Sequence, residues 1–242
     1  MKFNYQLIIE YDGTNFVGWQ IQKNGISVQE TIERALKKYF KKKIKIIGSG
    51  RTDSGVHAIN QSANFVLNIK IKNLISFIES VNFFLKKKSI SIINVKKRNI
   101  NFHSRFSAKK RIYEYQITNR QGSLSIDRNR SWLIKKKLDI DLMKKGAKIL
   151  VGTHDFSTFR SSSCSAKSPV KTIKKISIKK HKEKFFIIFE SKSYLQSQIR
   201  SMVGCLKYLG TGKWNLKKFK EVLILKDRNQ CAPLAPPSGL YL

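Results

Sequence analysis

Hydrophobic residues alternate with polar ones at the start of the chain and predict a β-strand over Phe3–Tyr11. The turn-forming sequence Asp-Gly-Thr at residues 12–14 follows and ends that strand. Apolar positions then recur at helical spacing over residues 28–39. Ser27, with Glu30 three residues later, forms a capping box that predicts where this helix begins. The chain therefore opens with a strand, a turn and an amphipathic helix.

The same two periods continue through the first half of the chain. Short strands are predicted over residues 44–47 and, from the alternation of apolar positions, over residues 63–67. The glycine-rich sequence GSGRTDSGVHA, residues 48–58, lies between them and is predicted to be a loop. A helix over Leu74–Leu85 and a strand over residues 89–95 complete this half.

The second half of the chain shows a similar order of elements. Alternation predicts a strand over residues 111–118, and helical spacing predicts a helix over Ile140–Leu150. Residues 172–189 alternate on both sides of the sequence HKEK, which predicts a β-hairpin. Apolar residues then recur at helical spacing over residues 194–209. Both halves therefore contain strands as well as helices.

The order of these elements predicts the fold class. A chain of 242 residues that is 41% hydrophobic has enough apolar material for a sizeable core. Because strands and helices follow in similar order in both halves, we expect an α+β protein with two related halves. Their sheets are expected to join and to leave a cleft between the halves. The serine-rich residues 161–168 are predicted to form a loop, and no other segment has the composition of a linker.

The charge of the chain adds a class of partner to this picture. Forty-nine lysine and arginine residues stand against 15 aspartate and glutamate residues, which gives a formal net charge of +34. Such a charge favours a polyanion, with nucleic acid as the first expectation, because binding releases counterions. Richness in lysine, isoleucine and asparagine also fits a genome-wide nucleotide bias. Charge alone leaves both explanations open.

Several classes of protein are disfavoured by the sequence. Cys164, Cys205 and Cys231 form no Cys-x-x-Cys pair, and the 4 histidines lack metal-binding spacing, so neither a disulfide framework nor a metal site is expected. The chain has no Walker loop and no dinucleotide fingerprint, so no cofactor is expected. The first residues, MKFNYQLIIEYDG, are too short and too alternating for a signal sequence, so none is expected. No window approaches the ~18 uninterrupted apolar residues of a membrane span. A cytoplasmic location is therefore expected.

The pentapeptide Arg51-Thr52-Asp53-Ser54-Gly55 is the most suggestive cluster of reactive side chains. A carboxylate in a glycine-flanked loop, with a guanidinium two residues away, is kept ionised. An ionised carboxylate can act as a nucleophile in covalent catalysis. Asp residues shortly before a glycine also form Asx turns and helix caps, so the pentapeptide alone leaves a structural role for Asp53 open.

Two further residues have both a structural and a functional interpretation. Tyr113 shares a strand face with Tyr115 and Ile117, as expected for a core tyrosine. At a cleft, a tyrosine can instead stack on a base and take part in a proton transfer. Arg200 lies beside the apolar stripe of its predicted helix, where an arginine is solvated or binds phosphate.

Six segments, read together, resemble the TruA family of tRNA pseudouridine synthases and cover nearly the whole chain in the right order. They are YDGTNFVGWQ with VQETIERAL, GSGRTDSGVHA, FHSRFSAKKRIYEYQI, HDFSTFR, QIRSMVG and GLYL. One such match would carry little weight, whereas six in register are a strong indication. The chain departs from the family pattern at Ser54, where alanine is common, and this small change is expected to leave the loop intact.

The resemblance implies a fold, a reaction and partners. The fold would be two pseudo-symmetric ferredoxin-like halves, residues 1–105 and 106–242, which share a mostly antiparallel sheet with a basic cleft between them. The activity would be that of an intramolecular transferase that isomerises uridine to pseudouridine at positions 38, 39 and 40 in the anticodon stem-loop of tRNA, without a cofactor. The partners would be tRNA and a second copy of the chain, with no membrane and no DNA.

The resemblance also implies roles for individual residues. The catalytic residues would be Arg51, Asp53, Tyr113 and Arg200. Those contacting RNA would be Arg51, Arg105, Tyr113 and Arg160. Asp53 would attack the target uridine at the ribose C1′ or at the base, and Tyr113 would contact the flipped base and assist in proton removal. Arg51 would help to displace the nucleotide, and Arg200 would pair with Asp53.

Three other functions remain open at this point. A basic RNA-binding protein that lacks the reaction would bind tRNA tightly and form no product. A pseudouridine synthase for another RNA, such as ribosomal RNA, would form product on that RNA instead. A metal-dependent nuclease is disfavoured because no carboxylate cluster is visible in the sequence.

Overall fold

A computed structural model describes residues 1–242 and divides them into two compact units. The first unit comprises residues 1–109 together with Leu242, and the second comprises residues 110–241. Each unit combines helices with a sheet that is antiparallel or nearly so, which confirms the α+β class. The hydrogen-bonded strands form two sheets, of four and six strands, and not the single shared sheet that was expected. None of the helices is long and apolar enough to span a membrane.

The first unit contains four strands and two helices. They are β1 (Phe3–Tyr11), α1 (Val28–Phe40), β2 (Ile47–Gly48), β3 (Ala58–Leu67), α2 (Leu74–Leu85) and β4 (Ile90–Arg98). The strands form an antiparallel sheet in the order β2-β3-β1-β4. The hydroxyl of Ser27 accepts a hydrogen bond from the amide of Glu30 at 3.1 Å, so the predicted cap of α1 is confirmed.

One face of this sheet forms the core of the first unit. The alternating residues Tyr5, Leu7, Ile9 and Tyr11 of β1 are all nearly inaccessible to solvent. They belong to a buried cluster that includes apolar residues of α1 and α2. Because each fully buried large side chain contributes roughly 1.5–3 kcal/mol, this face fixes the sheet against the two helices.

The opposite face of the sheet is polar and positions the segment after β4. The side-chain amide of Asn64 donates to the side-chain oxygen of Asn4 at 3.0 Å. Asn4 in turn donates to the carbonyl of Phe102 at 2.7 Å, and the amide of Ser104 donates to Asn64 at 2.9 Å. These buried side chains satisfy one another and the backbone that follows β4, as buried polar groups must. They thereby fix the position of the chain as far as Ser104, which precedes Arg105.

The second unit contains six strands and three helices. They are β5 (Arg111–Asn119), β6 (Trp132–Ile134), α3 (Ile140–Leu150), β7 (Gly152–Asp155), β8 (Val170–His181), β9 (Lys184–Ser191), α4 (Gln198–Gly210), α5 (Leu216–Leu225) and β10 (Leu240–Tyr241). The sheet has the order β10-β5-β9-β8-β7, and β6 adds a parallel pairing to β5. The predicted hairpin is confirmed, because His181 and Lys184 pair at the end of β8 and β9.

Helix α4 begins at Gln198, which is later than the predicted start at residue 194. Ser197 has a left-handed backbone conformation, with φ of 61°, and therefore cannot continue a helix. The side chain of Gln198 accepts a hydrogen bond from the amide of Leu195 at 2.8 Å and closes this turn. Apolar spacing before residue 198 reflects a packed turn in which Leu195 is buried. Residues 161–168 contain no helix or strand, as predicted.

Candidate active site

Asp53 lies in the loop between β2 and β3, in the first unit. The loop of residues 49–57 is called the Asp53 loop below. The amide of Val56 donates to the main-chain carbonyl of Asp53 at 3.2 Å and closes a tight turn. Asp53 itself is partly exposed, and Arg51, two residues before it, is exposed. The loop therefore presents a carboxylate and a guanidinium close together in sequence, near the surface of the unit.

The segment that follows β1 holds the Asp53 loop in place. The amide of Trp19 donates to the carbonyl of Thr52 at 3.1 Å, and the hydroxyls of Tyr11 and Thr52 are hydrogen-bonded at 2.8 Å. On the other side of Asp53, the hydroxyl of Ser54 donates to the carbonyl of Phe16 at 3.1 Å. The residues on both sides of the carboxylate are thus anchored, so the position of Asp53 is determined by the fold. Ser54, the departure from the family pattern, contributes one of these anchors.

Two glycines allow the close approach of these segments. A Cβ at Gly18 would lie 2.6 Å from the carbonyl oxygen of Thr52, and Gly18 has φ of +108°, which L residues rarely adopt. A Cβ at Gly13 would overlap the carbonyl oxygen of Val56. In both cases the obstacle is backbone, which cannot rotate away as a side chain could. Glycine at these two positions is therefore a condition for the observed geometry of the loop.

Two buried polar side chains support the ends of the Asp53 loop. Gln61 is inaccessible to solvent, donates to the carbonyl of Gly50 at 2.7 Å and accepts from the hydroxyl of Ser49 at 2.9 Å. The Nδ1 atom of His57 accepts a hydrogen bond from the amide of Gly13 at 3.0 Å. The same nitrogen also lies 3.2 Å from the carboxylate of Asp12. Both side chains fix the loop from within the unit.

Tyr113 is buried in the second unit, on β5, as the interpretation of a core tyrosine predicts. Its ring meets that of Tyr194 edge to face, with 5.4 Å between the ring centres. Tyr115 lies on the same face of β5, and its hydroxyl donates to the carbonyl of Pro236 at 2.7 Å. Tyr113 is 7% exposed, so nearly all of its surface is buried.

Arg200 lies on α4 in the second unit and is partly buried rather than solvated. Its Nε donates to the carbonyl of Ala235 at 2.8 Å, and its own carbonyl accepts from the amide of Ala235 at 3.1 Å. Burial raises the pKa of Tyr115 well above its ordinary value, and the positive charge of Arg200 acts weakly in the opposite direction. Arg200 therefore lies close to Tyr115, on the strand that carries Tyr113.

A pair of thiols ties α4 to the same segment. The sulfur atoms of Cys205 and Cys231 are 3.6 Å apart, although 26 residues separate them in sequence. The thiol of Cys205 lowers the pKa of Cys231 by donating a hydrogen bond to it, and the charge of Arg228 acts in the same sense. The spacing of the cysteines in the sequence gave no sign of this contact.

The two other arginines implied to contact RNA lie on different units. Arg160 follows a buried pair of aromatic residues in the second unit and donates to the carbonyl of Cys164 at 3.0 Å. Arg105 belongs to the first unit, where its guanidinium lies 5.9 Å from the ring centre of Phe106. Phe106 is 76% exposed, so this pair presents a cation and an aromatic ring to solvent.

The structure thus groups the expected residues by unit. Arg51, Asp53 and Arg105 belong to the first unit, and Tyr113, Arg160 and Arg200 belong to the second. Sequence reasoning missed the residues that hold the Asp53 loop. These are Tyr11, Gly13, Phe16, Gly18, Trp19 and Gln61. The sequence offered two signals of these contacts. Gly13 and Gly18 flank an aromatic stretch without periodicity, and Gln61 is a polar residue inside a strand.

Comparison with known proteins defines the class to which this chain belongs. A family model described as tRNA pseudouridine synthase matches residues 7–107 and 147–242. Since these ranges cover well over half of the chain and include the Asp53 loop and α4, the chain belongs to the tRNA pseudouridine synthase family.

Individual relatives match nearly the whole chain. A tRNA pseudouridine synthase A of Pelagibacter ubique (strain HTCC1062) is 56% identical over 240 residues, which cover 99% of this chain and 98% of that protein. Proteins of the same name from Parvibaculum lavamentivorans and Maricaulis maris are 44% and 42% identical over 238 residues, with 98% of this chain covered and 96% and 95% of theirs.

Proposed function

We propose that this protein isomerises uridine to pseudouridine in the anticodon stem-loop of tRNA, at positions 38, 39 and 40, with Asp53 as the nucleophile. The observation that carries the proposal is the Asp53 loop, in which hydrogen bonds anchor the residues on both sides of the carboxylate. The chain that contains this loop belongs to a family of tRNA pseudouridine synthases. An anchored, partly exposed carboxylate can attack without first being ordered, which reduces the entropic barrier.

The proposed reaction conserves every atom of the uridine. Asp53 attacks at C1′ or at the base, the bond between C1′ and N1 breaks, and the uracil turns within the site. A bond then forms between C1′ and C5, and the bond between the substrate and Asp53 breaks, which releases the carboxylate. The proton on C5 is lost while N1 gains one. No oxidant, reductant or energy source is consumed, so the residues need only provide a nucleophile, a proton acceptor and charge.

The other residues are assigned supporting roles. Tyr113 contacts the extruded base and assists in removing the C5 proton, because an aromatic ring can stack on a base and its phenol can take part in a proton transfer. Arg51 helps to displace the target nucleotide, and Arg200 supplies positive charge for the carboxylate. Arg105 and Arg160 bind RNA phosphates, as arginines commonly do.

The finer features of the assembly are part of the proposal. These are the pseudo-symmetry of residues 1–105 and 106–242, a basic cleft, a homodimer and a cytoplasmic location. The division of the chain near residue 109 supports the boundary between the halves. A net charge of +34 supports tRNA as the partner, because most of the tRNA surface consists of phosphate.

The reaction can be tested by the release of tritium from tRNA that carries the label at C5 of uridine. Isomerisation exchanges this hydrogen with water, so we expect release that reaches one tritium per modified uridine. Mapping of pseudouridine along the product should place it at positions 38–40. Tight binding of tRNA without release would indicate an RNA-binding protein, and release from ribosomal RNA alone would indicate another substrate. Either result would contradict the proposal.

Substitution of Gly18 by alanine should slow the reaction about tenfold to a hundredfold, as a displacement of a catalytic group by about 1 Å can do. The new methyl group would press on the carbonyl of Thr52 and move Asp53. Gly212→Ala is the matched control, because Gly212 also has a positive φ, of +71°, but no atom within 4 Å of the added Cβ. Turnover at saturating tRNA is measured for both variants. Urea unfolding of each variant separates a slower reaction from a loss of stability. Equal rates for both variants would show that the contact with the Asp53 loop is irrelevant.

A further inference from the structure

The first unit contains a cavity of about 450 Å³ that the proposed reaction does not use. Residues of α1, of the end of α2 and of the segment after β1 line it. Its apolar side includes the buried ring of Phe16 and the partly buried ring of Phe84. This volume lies in the range of pockets that hold small organic ligands, so one nucleotide can fit.

The cavity is positively charged. Four of the residues that line it are cationic: Arg34, Lys38, Lys87 and Lys88. No aspartate or glutamate lines it, although Arg34 pairs with the carboxylate of Glu30 at 2.6 Å. The ammonium of Lys38 lies 5.7 Å from the ring centre of Phe84.

Cations beside an aromatic ring match the two parts of a nucleotide. The phosphate is attracted by the lysines, and the base can stack on a phenyl ring, as in proteins that bind single-stranded nucleic acid. Runs of lysine elsewhere in the chain, such as residues 41–43, lie outside this cavity. The combination of cations, an aromatic wall and a concave shape therefore distinguishes this place from a merely solvated basic surface.

We propose that this cavity is a second RNA site, which binds one nucleotide of the RNA strand, base and phosphate, apart from the uridine that reacts. This inference rests on the proposed function and identifies a further contact with the same substrate. Phe16 connects the two places, because it lines the cavity while its carbonyl accepts hydrogen bonds from Ser54 and Gly55. RNA held there lies against the segment that anchors the Asp53 loop.

The phosphate contact can be tested with the double variant Lys38→Ala and Lys87→Ala. Its control is Lys70→Ala with Lys72→Ala, which removes two exposed lysines of the same unit outside the cavity. Binding of fluorescent tRNA is measured by anisotropy at several salt concentrations. We expect about tenfold weaker binding near 0.1 M salt and a fall of roughly 2 in the salt slope for the cavity variant alone. Equal effects in both double variants would overturn the proposal.

The base contact can be tested with two adjacent aromatic residues of α2. Phe84 lines the cavity, whereas Phe83 is 74% exposed and does not. We expect Phe84→Leu to weaken tRNA binding roughly fivefold, since stacking on an aromatic ring contributes about that much or more. Phe83→Leu should bind as the unsubstituted protein does. Thermal unfolding of both variants checks that each is folded, and equal affinities in folded proteins would contradict a stacked base.

Two further measurements separate this proposal from its alternatives. Turnover by the unsubstituted protein tests the proposed function independently, so its failure would not be confused with failure of the second site. In the cavity variants the loss should appear in KM for tRNA, and not in the rate at saturation. Uridine monophosphate is used as a competitor of tRNA. If it binds the cavity at micromolar concentration while the substitutions leave tRNA affinity unaltered, the cavity holds a free nucleotide and the proposal is wrong.

Discussion

Replacement of Asp53 by alanine is expected to abolish pseudouridine formation, with a fall in turnover of roughly 10⁴-fold or more, as for other enzymes that lose their nucleophile. Asp53→Asn should have nearly the same effect, because the amide keeps the size of the side chain but not its charge. Tritium release from tRNA labelled at C5 of uridine, at equal occupancy of each protein, measures the loss.

A matched carboxylate distinguishes loss of the nucleophile from a change of charge. Glu79 is exposed on α2 in the same unit, and Glu79→Gln removes one negative charge there. This variant should turn over tRNA at the normal rate. Near-normal turnover by either Asp53 variant would remove Asp53 from the reaction and leave it the structural role of a turn residue.

Tyr113→Phe is expected to bind tRNA with nearly normal affinity and to lower turnover about 10²-fold to 10⁴-fold, the range typical of a lost proton-transfer group. The ring that packs against Tyr194 is retained, so only the hydroxyl is removed. The rate at saturating tRNA, together with the dissociation constant from anisotropy, separates chemistry from binding.

The same substitution two residues away on β5 provides the control. The hydroxyl of Tyr115 donates to the carbonyl of Pro236, so Tyr115→Phe should lower the free energy of unfolding by roughly 1 kcal/mol. Its turnover should fall far less than that of Tyr113→Phe. If Tyr113→Phe instead retains full turnover, Tyr113 is a core tyrosine and another group accepts the proton.

Local periodicity predicted much of the fold, because the relevant interactions lie within a few residues. The cap of α1 by Ser27 depends on an amide three residues away, and the β8–β9 hairpin depends on a short turn. Helix α5 escaped prediction although Phe219, Val222 and Leu223 are buried at helical spacing after the cap residue Asn215. The apolar spacing that predicts a helix was present, but it lay in a short segment rich in lysine.

The surroundings of the candidate site were less predictable, because they depend on contacts that are distant in sequence. The hydrogen bond between Tyr11 and Thr52 spans 41 residues, and that between Ser54 and Phe16 spans 38. The sequence pattern predicted that the reactive carboxylate lies in a loop, and the family resemblance implied its role. What holds the loop follows from the path of the backbone, which no local pattern records.

Main-chain atoms provide much of what holds the Asp53 loop, among them the amide of Trp19 and the carbonyl of Phe16. A main-chain anchor tolerates exchange of the side chain it carries, as long as the backbone keeps its course. Many surface residues of this protein can therefore be replaced, for example as a genome drifts toward lysine and isoleucine codons, while these main-chain contacts to the loop are kept. The exceptions are the side chains that bond to the loop or within it, those of Tyr11, Ser54 and Gln61. Gly13 and Gly18 are exceptions too, since any side chain there would meet the loop itself. Evolutionary drift near the carboxylate is thus limited by hydrogen bonds as well as by space.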